Sequence, residues 1–163
     1  MAGAGGAAPL TAAAWLATAG GATATPGLGA LVTALLSLAL AGLVLRCPPR
    51  GQAAIAAGLL LPAVGLCQLA SGAFADKDDA RIVADEVLTF PVAVAAQGAA
   101  RHPAVLGGAY LASRALDGLK PPPARQAEGL PGGVGIVLDD LVTNLYTALL
   151  LAGGCAAYRR YRP

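Results

Sequence analysis

The first charged side chain of this protein is Arg46, and two more uncharged, span-length runs follow it. The three runs, residues 27–45, 51–75 and 141–158, are rich in Leu, Val and Ala. A helix needs about twenty such residues to cross the hydrocarbon core of a bilayer, so each run is a candidate transmembrane segment. The competing reading is a set of buried helices in a soluble bundle. Composition favours the bilayer: the chain is 56% hydrophobic with a mean hydropathy of +0.65, and Ala and Gly dominate. Small residues at that density let helices approach closely without a hydrophobic drive between them. The expectation is an all-α, membrane-embedded multi-helix bundle, with transmembrane-length helices and broken or half-length helices around a polar site.

With 163 residues, no internal repeat and no break in composition, the chain is expected to form one domain over 1–163. Residues 1–14 read as a flexible lead-in, since no basic n-region marks a signal peptide. The stretch from Trp15 to Ala24 is ambiguous and ends at the turn signal Thr25-Pro26-Gly27. The prolines and arginines of Arg46-Cys47-Pro48-Pro49-Arg50 stop the first run, so the first two runs read as a helical hairpin, with Pro62 kinking the second. Residues 87–100 and 103–113 are too short to span; they read as half-length helices around Arg101-His102-Pro103, or as one broken helix. A basic tail occupies 159–163. Counting crossings puts Arg46, Arg50 and the tail on one side and the acidic segments on the other. Bases interleaved with those acids keep the positive-inside rule from deciding orientation.

Several chemistries are disfavoured. A net charge of +2 is too small to argue for nucleic acid. Cys47, Cys67 and Cys155 make an odd count without a CxxC, which argues against disulfide and zinc frameworks. The single histidine, His102, reads as part of a polar turn, and no Ser-His-Asp set is supported.

What remains is charge density. All nine acids fall between Asp76 and Asp140. Asp85 and Glu86 are adjacent at the entrance to an apolar segment, where a divalent cation can keep both ionised, although a solvated turn also fits. Arg114, Asp117 and Lys120 are spaced i, i+3, i+6, a stripe able to hold a phosphate beside a metal or simply a helical salt bridge. Pro121-Pro122-Pro123 then forbids helix continuation and predicts an extended arm. Gly132, Gly133 and Gly135 can turn backbone N–H groups toward an anion at a helix start, though a plain turn fits as well. Asp139 and Asp140 open an uncharged run, with Thr143 and Asn144 four residues on; carboxylates at such a place are functional hypotheses by default. Together these residues favour hard-oxygen chemistry, with Asp and Glu for Mg2+, Arg and Lys for phosphate, and water as nucleophile.

The order of these motifs resembles the phosphatidylglycerophosphatase A family. The residues that carry the resemblance are PGLG at 26–29, IVADE at 82–86, RALDGLKPPPAR at 114–125 and GGVGIVLDD at 132–140. The resemblance implies Mg2+-dependent hydrolysis of phosphatidylglycerophosphate to phosphatidylglycerol by a multi-pass protein of the bacterial inner membrane. It makes Asp85, Glu86, Asp117, Asp139 and Asp140 the metal and general-base candidates. Arg114, Lys120 and Arg125 become the phosphate-charge candidates, and Glu128 takes the place of a family Asp. The implied partners are the membrane and its phospholipid substrate, with a homo-oligomer left open. Leu28 stands where the family has Thr, and Thr89 and Asn144 stand where Gly is usual. The alternatives are a CDP-alcohol phosphatidyltransferase-like enzyme, which Asp76-Lys-Asp-Asp-Ala-Arg81 only partly matches, and a non-enzymatic membrane protein whose acids bind cations.

Overall fold

The computed structural model describes residues 11–25, 28–74, 76 and 79–161. Helix formation starts at Thr11, whose hydroxyl accepts the Ala14 N–H and caps α1 (Ala12–Ala17). Ala14 is buried, so the expected lead-in is shortened: its residues 12–14 are helical, and residues 1–10 lie outside the described part. The chain then reverses through Gly20 and Gly21, both with positive φ, and the ring of Trp15 lies against Gly20. A 3-10 turn (Ala22–Ala24) follows. The expected turn residues Pro26 and Gly27 lie outside the described residues.

The apolar runs become α2 (Leu28–Val44), α3 (Pro49–Ser71) and α7 (Gly132–Tyr161). Between them lie α4 (Ala84–Val94), a 3-10 turn (Gly98–Arg101), α5 (Pro103–Leu119) and the short α6 (Ala124–Glu128). The break expected near Arg101-His102-Pro103 is present. His102 acts there as a cap, its Nδ1 accepting the Ala104 N–H of the first turn of α5.

Three local expectations are corrected. α2 and α3 are joined by a short turn but do not form a packed hairpin; α4 packs against both. Buried Gln52 holds that turn by donating to the carbonyls of Leu45 and Cys47 while its Oε1 accepts the Ala96 N–H after α4. The triple proline is a tight turn rather than an extended arm: Ala124 N–H reaches Pro121 O at 2.8 Å, and Tyr146 donates to Pro122 O. Finally, α7 starts at Gly132, so Asp139 and Asp140 sit two turns inside a helix and not at its start.

Apolar and polar residues are distributed inside out by the standard of a soluble bundle. Leu31, Leu35, Leu43, Leu61, Leu69, Leu111, Leu149 and Leu150 are exposed, whereas Thr33, Ser37, Gln52, Thr89, Ser113, Thr143, Asn144 and Thr147 are buried. Leucine outside and small polar residues between helices is how a bundle meets hydrocarbon. Only 22% of the apolar window of α3 is buried, which a soluble core helix would not tolerate. Helices α3 and α7 are long and apolar enough to cross a membrane, and together with the exposed leucines they suggest a membrane protein.

Two cores stack along the bundle. One joins Ala14 and Ala17 of α1, Ala63 and Cys67 of α3, and Ile136 and Val137 of α7. The other joins Ala41 of α2, Phe90 and Val94 of α4, and Tyr110 of α5, with Phe90 and Tyr110 edge to face at 5.4 Å. The first core underlies the acidic end of the bundle. The second lies toward the end that carries Arg46 and Arg101.

Candidate active site

Asp85 and Glu86 lie in the first turn of α4, where the helix dipole favours carboxylates. The entry to that helix is held by the N-terminal segment: Val83 N–H donates to Ala17 O at 2.9 Å, and Thr23 donates to Arg81 O at 2.7 Å. Arg114 and Asp117 lie in the second half of α5. Lys120 is not part of the expected helical stripe; it is the C-cap, with left-handed backbone (φ 45°, ψ 62°). The third contribution, Asp139 and Asp140, is buried on α7.

These segments meet. Arg114 Nη1 stands 2.6 Å from Glu86 and 3.6 Å from Asp117, and its Nη2 stands 3.6 Å from Asp140. Lys120 Nζ stands 2.5 Å from Asp139 and 3.0 Å from Glu128, an acid outside the predicted set. Burial pulls the Lys120 ammonium down, but the hydrogen bonds it donates to Asp139 and Glu128 outweigh this and hold it above the ordinary lysine value. A cavity of about 240 Å³ is lined by Asp85, Glu86, Asp117, Lys120, Asp139 and Asp140. A second cavity of about 390 Å³ adjoins it across Glu86 and Asp117, and is lined by Arg114, Tyr110 and the small residues Gly29, Ala30 and Thr33 of α2.

Directly beneath lies a buried chain of hydrogen bonds that sequence reasoning missed. Asn144 on α7 donates to Thr89 on α4 at 2.9 Å, and Ser113 on α5 donates to Asn144 at 2.8 Å. Thr89 follows Asp85 by four residues, Asn144 follows Asp140 by four, and Ser113 precedes Arg114. The network therefore sets the register of the three helices that carry the charges. The i+4 spacing was the only signal for it.

The donor set suits a hard divalent cation, because Asp139 Oδ1 and Asp140 Oδ2 are buried carboxylate oxygens with no hydrogen-bond partner. Among the described residues no three acids, histidines or cysteines form a ready-made cage. Arg114 and Lys120 compensate the carboxylates in this arrangement, so the fit is one of donor chemistry and not of preassembled geometry.

Four predicted residues are not brought to the cavity. Arg125 is exposed on α6 and forms no ion pair among the described residues. Gly132, Gly133 and Gly135 serve close packing instead of an anion loop. A Cβ on Gly132 would strike the Gln68 side chain, one on Gly133 the α3 backbone at Val64 and Gln68, and one on Gly135 the Leu130 carbonyl. The Gly133 N–H is already donated to Gln68 Oε1 at 2.9 Å.

The family model described as phosphatidylglycerophosphatase A matches residues 12–154, a stretch that contains the whole charged cluster. No curated protein and no solved structure matches the chain.

Proposed function

The chain belongs to the phosphatidylglycerophosphatase A family, a family of phosphatases, and from that premise we propose a Mg2+-dependent hydrolysis of phosphatidylglycerophosphate to phosphatidylglycerol and inorganic phosphate. The reaction belongs to phospholipid biosynthesis, and the chain acts as a single-domain, multi-pass protein of the bacterial inner membrane. Family membership implies the phosphatase activity and a lipid substrate. The Mg2+ requirement, the residue roles and the location are our reading.

One observation carries it: five carboxylates line one polar cavity at one end of a lipid-facing bundle, and Arg114 pairs with three of them, Glu86, Asp117 and Asp140, while Lys120 pairs with a fourth, Asp139. A cation path would avoid those bases, whereas a phosphomonoester needs them. Asp85, Glu86, Asp117, Asp139 and Asp140 are the residues that would hold Mg2+, which supplies charge neutralisation and a more acidic bound water. Arg114 and Lys120 are placed to donate to phosphate oxygens as charge develops on them. One carboxylate of the set takes a proton from the attacking water as the water oxygen bonds to phosphorus. The P–O bond to the glycerol oxygen breaks, and that oxygen takes up a proton to leave as the free hydroxyl of phosphatidylglycerol. The glycerol side of the substrate fits the adjoining cavity, whose Gly29 and Ala30 wall leaves room beside Arg114.

The test is phosphate release from phosphatidylglycerophosphate in mixed micelles, with Mg2+ and with EDTA, for the native protein and for Asp117→Asn and Asp140→Asn. Loss of release with EDTA and in both variants is expected. Activity indifferent to all three would overturn the mechanism.

A further inference from the structure

The end of the bundle away from the acids has its own character. Arg46 and Arg101 line one cavity there, and His102, Tyr158 and Arg159 line another of about 790 Å³ beside it. Arg50 lies in the first turn of α3 and Arg160 in the last turn of α7, at the same end. No described acid lines either cavity.

The larger cavity does not stop at the basic rim. It shares Val105, Leu150 and Leu151 with a third cavity of about 310 Å³, floored by Gly108, Ala109 and Ala112 of α5 and closed at its inner end by Thr147 of α7. The two form one crevice between α5 and α7. Along α7 it runs from Thr147 to Tyr158, which at 1.5 Å per residue is about 16 Å. Half the hydrocarbon thickness of a bilayer is about 15 Å. The crevice thus has the length of one acyl chain in one leaflet and an apolar lining along most of that length. It has one lining cation, Arg159, at the end where a phosphate would lie, with Arg101 in the neighbouring cavity.

We propose that this crevice binds an anionic glycerophospholipid of the leaflet opposite the charged cluster. One acyl chain lies between α5 and α7, and the headgroup phosphate lies against Arg159, His102 and Arg101. Charge complementarity selects the occupant: a zwitterionic lipid offers the same chain but gains less from a rim of cations. The site rests on the membrane placement of α3 and α7 and is independent of the phosphatase reading.

The experiment uses phosphatidylserine, which has no phosphomonoester, against phosphatidylcholine of the same chains. Retention of each lipid is measured by native mass spectrometry of the detergent-solubilised protein. The native chain should retain one phosphatidylserine in preference to phosphatidylcholine, and Arg159→Gln and Arg101→Gln should each weaken retention about fivefold. Asp140→Asn should retain it unchanged, which separates this site from the charged cluster. Cys155 lines the crevice, so in a Cys47→Ser background phosphatidylserine should slow maleimide labelling at Cys155, a readout that leaves the crevice unmutated. Equal retention of the two lipids, indifference to both arginine substitutions, or labelling of Cys155 unchanged by phosphatidylserine would overturn the proposal.

Discussion

Asn144 of α7 and Thr89 of α4 are joined by a hydrogen bond of 2.9 Å between two side chains with no solvent exposure. In sequence they are two separate departures from the family pattern. In the structure they are one feature, extended to α5 through Ser113. Asn144→Ala removes the partner of two buried hydroxyls at once. It should lower stability by about 1–2 kcal/mol, since each abandoned polar group costs more than the net value of its bond. A denaturant titration in detergent measures this, and Thr89→Val combined with Asn144→Leu should recover part of the loss.

Arg114 faces Glu86, Asp117 and Asp140 together, a task for a planar fork and not for a point charge. Arg114→Lys should fold yet lose about a hundredfold in kcat/KM, because the charge is kept while its placement is lost. Wild-type kinetics in this variant would remove Arg114 from the site.

Gly133 separates packing from anion binding. Gly133→Ala drives a methyl into the α3 backbone and should destabilise the protein by at least about 1–3 kcal/mol. The fraction that folds should keep its KM, because the Gly133 N–H faces Gln68. A raised KM with unchanged stability would restore the phosphate-loop expectation.

Arg125→Gln should change stability by no more than about 0.5 kcal/mol and leave phosphate release at the native level, as an exposed residue without an ion pair among the described residues predicts. A phosphate-release assay on this variant alone decides whether Arg125 belongs with the charge set.

Lys120 sets an alkaline dependence. Its value in the folded protein is raised, so its contribution to stability is fully present below the unfolded lysine value and is lost as pH rises through the folded value. The stability difference between the native chain and Lys120→Met should therefore stay constant from neutral pH to about pH 10 and shrink only above it. Paired denaturation curves across that range give the answer.

The charged residues were legible because carboxylates in an apolar chain are costly and few. Asp85, Glu86, Asp117, Asp139 and Asp140 line the same cavity as Lys120. The break at Arg101-His102-Pro103 was legible as well, although α5 runs on to Leu119 and, at 17 residues, is as long as α2 and not the short piece expected over 103–113. The glycines misled because one backbone freedom serves both anion loops and close helix contact, and the deciding neighbour, Gln68, is remote in sequence. The start of α7 was misplaced for the same reason: glycines that look like a turn belong to a helix packed tightly on α3. The role of Gln52 left no mark in the sequence, and the Asn144 network left only the i+4 spacing, because the deciding partners, Ala96 for Gln52 and Thr89 and Ser113 for Asn144, lie far away along the chain.

Trp15 is the only tryptophan of the chain. It is 55% exposed on α1, and two residues later Ala17 accepts the backbone bond that seats the start of α4. Tryptophan favours the boundary between headgroups and hydrocarbon. Its emission and its quenching by brominated lipids therefore register how deep the carboxylate-bearing end rides in a bilayer. The protein carries its own optical depth gauge, and no label need be attached to read it.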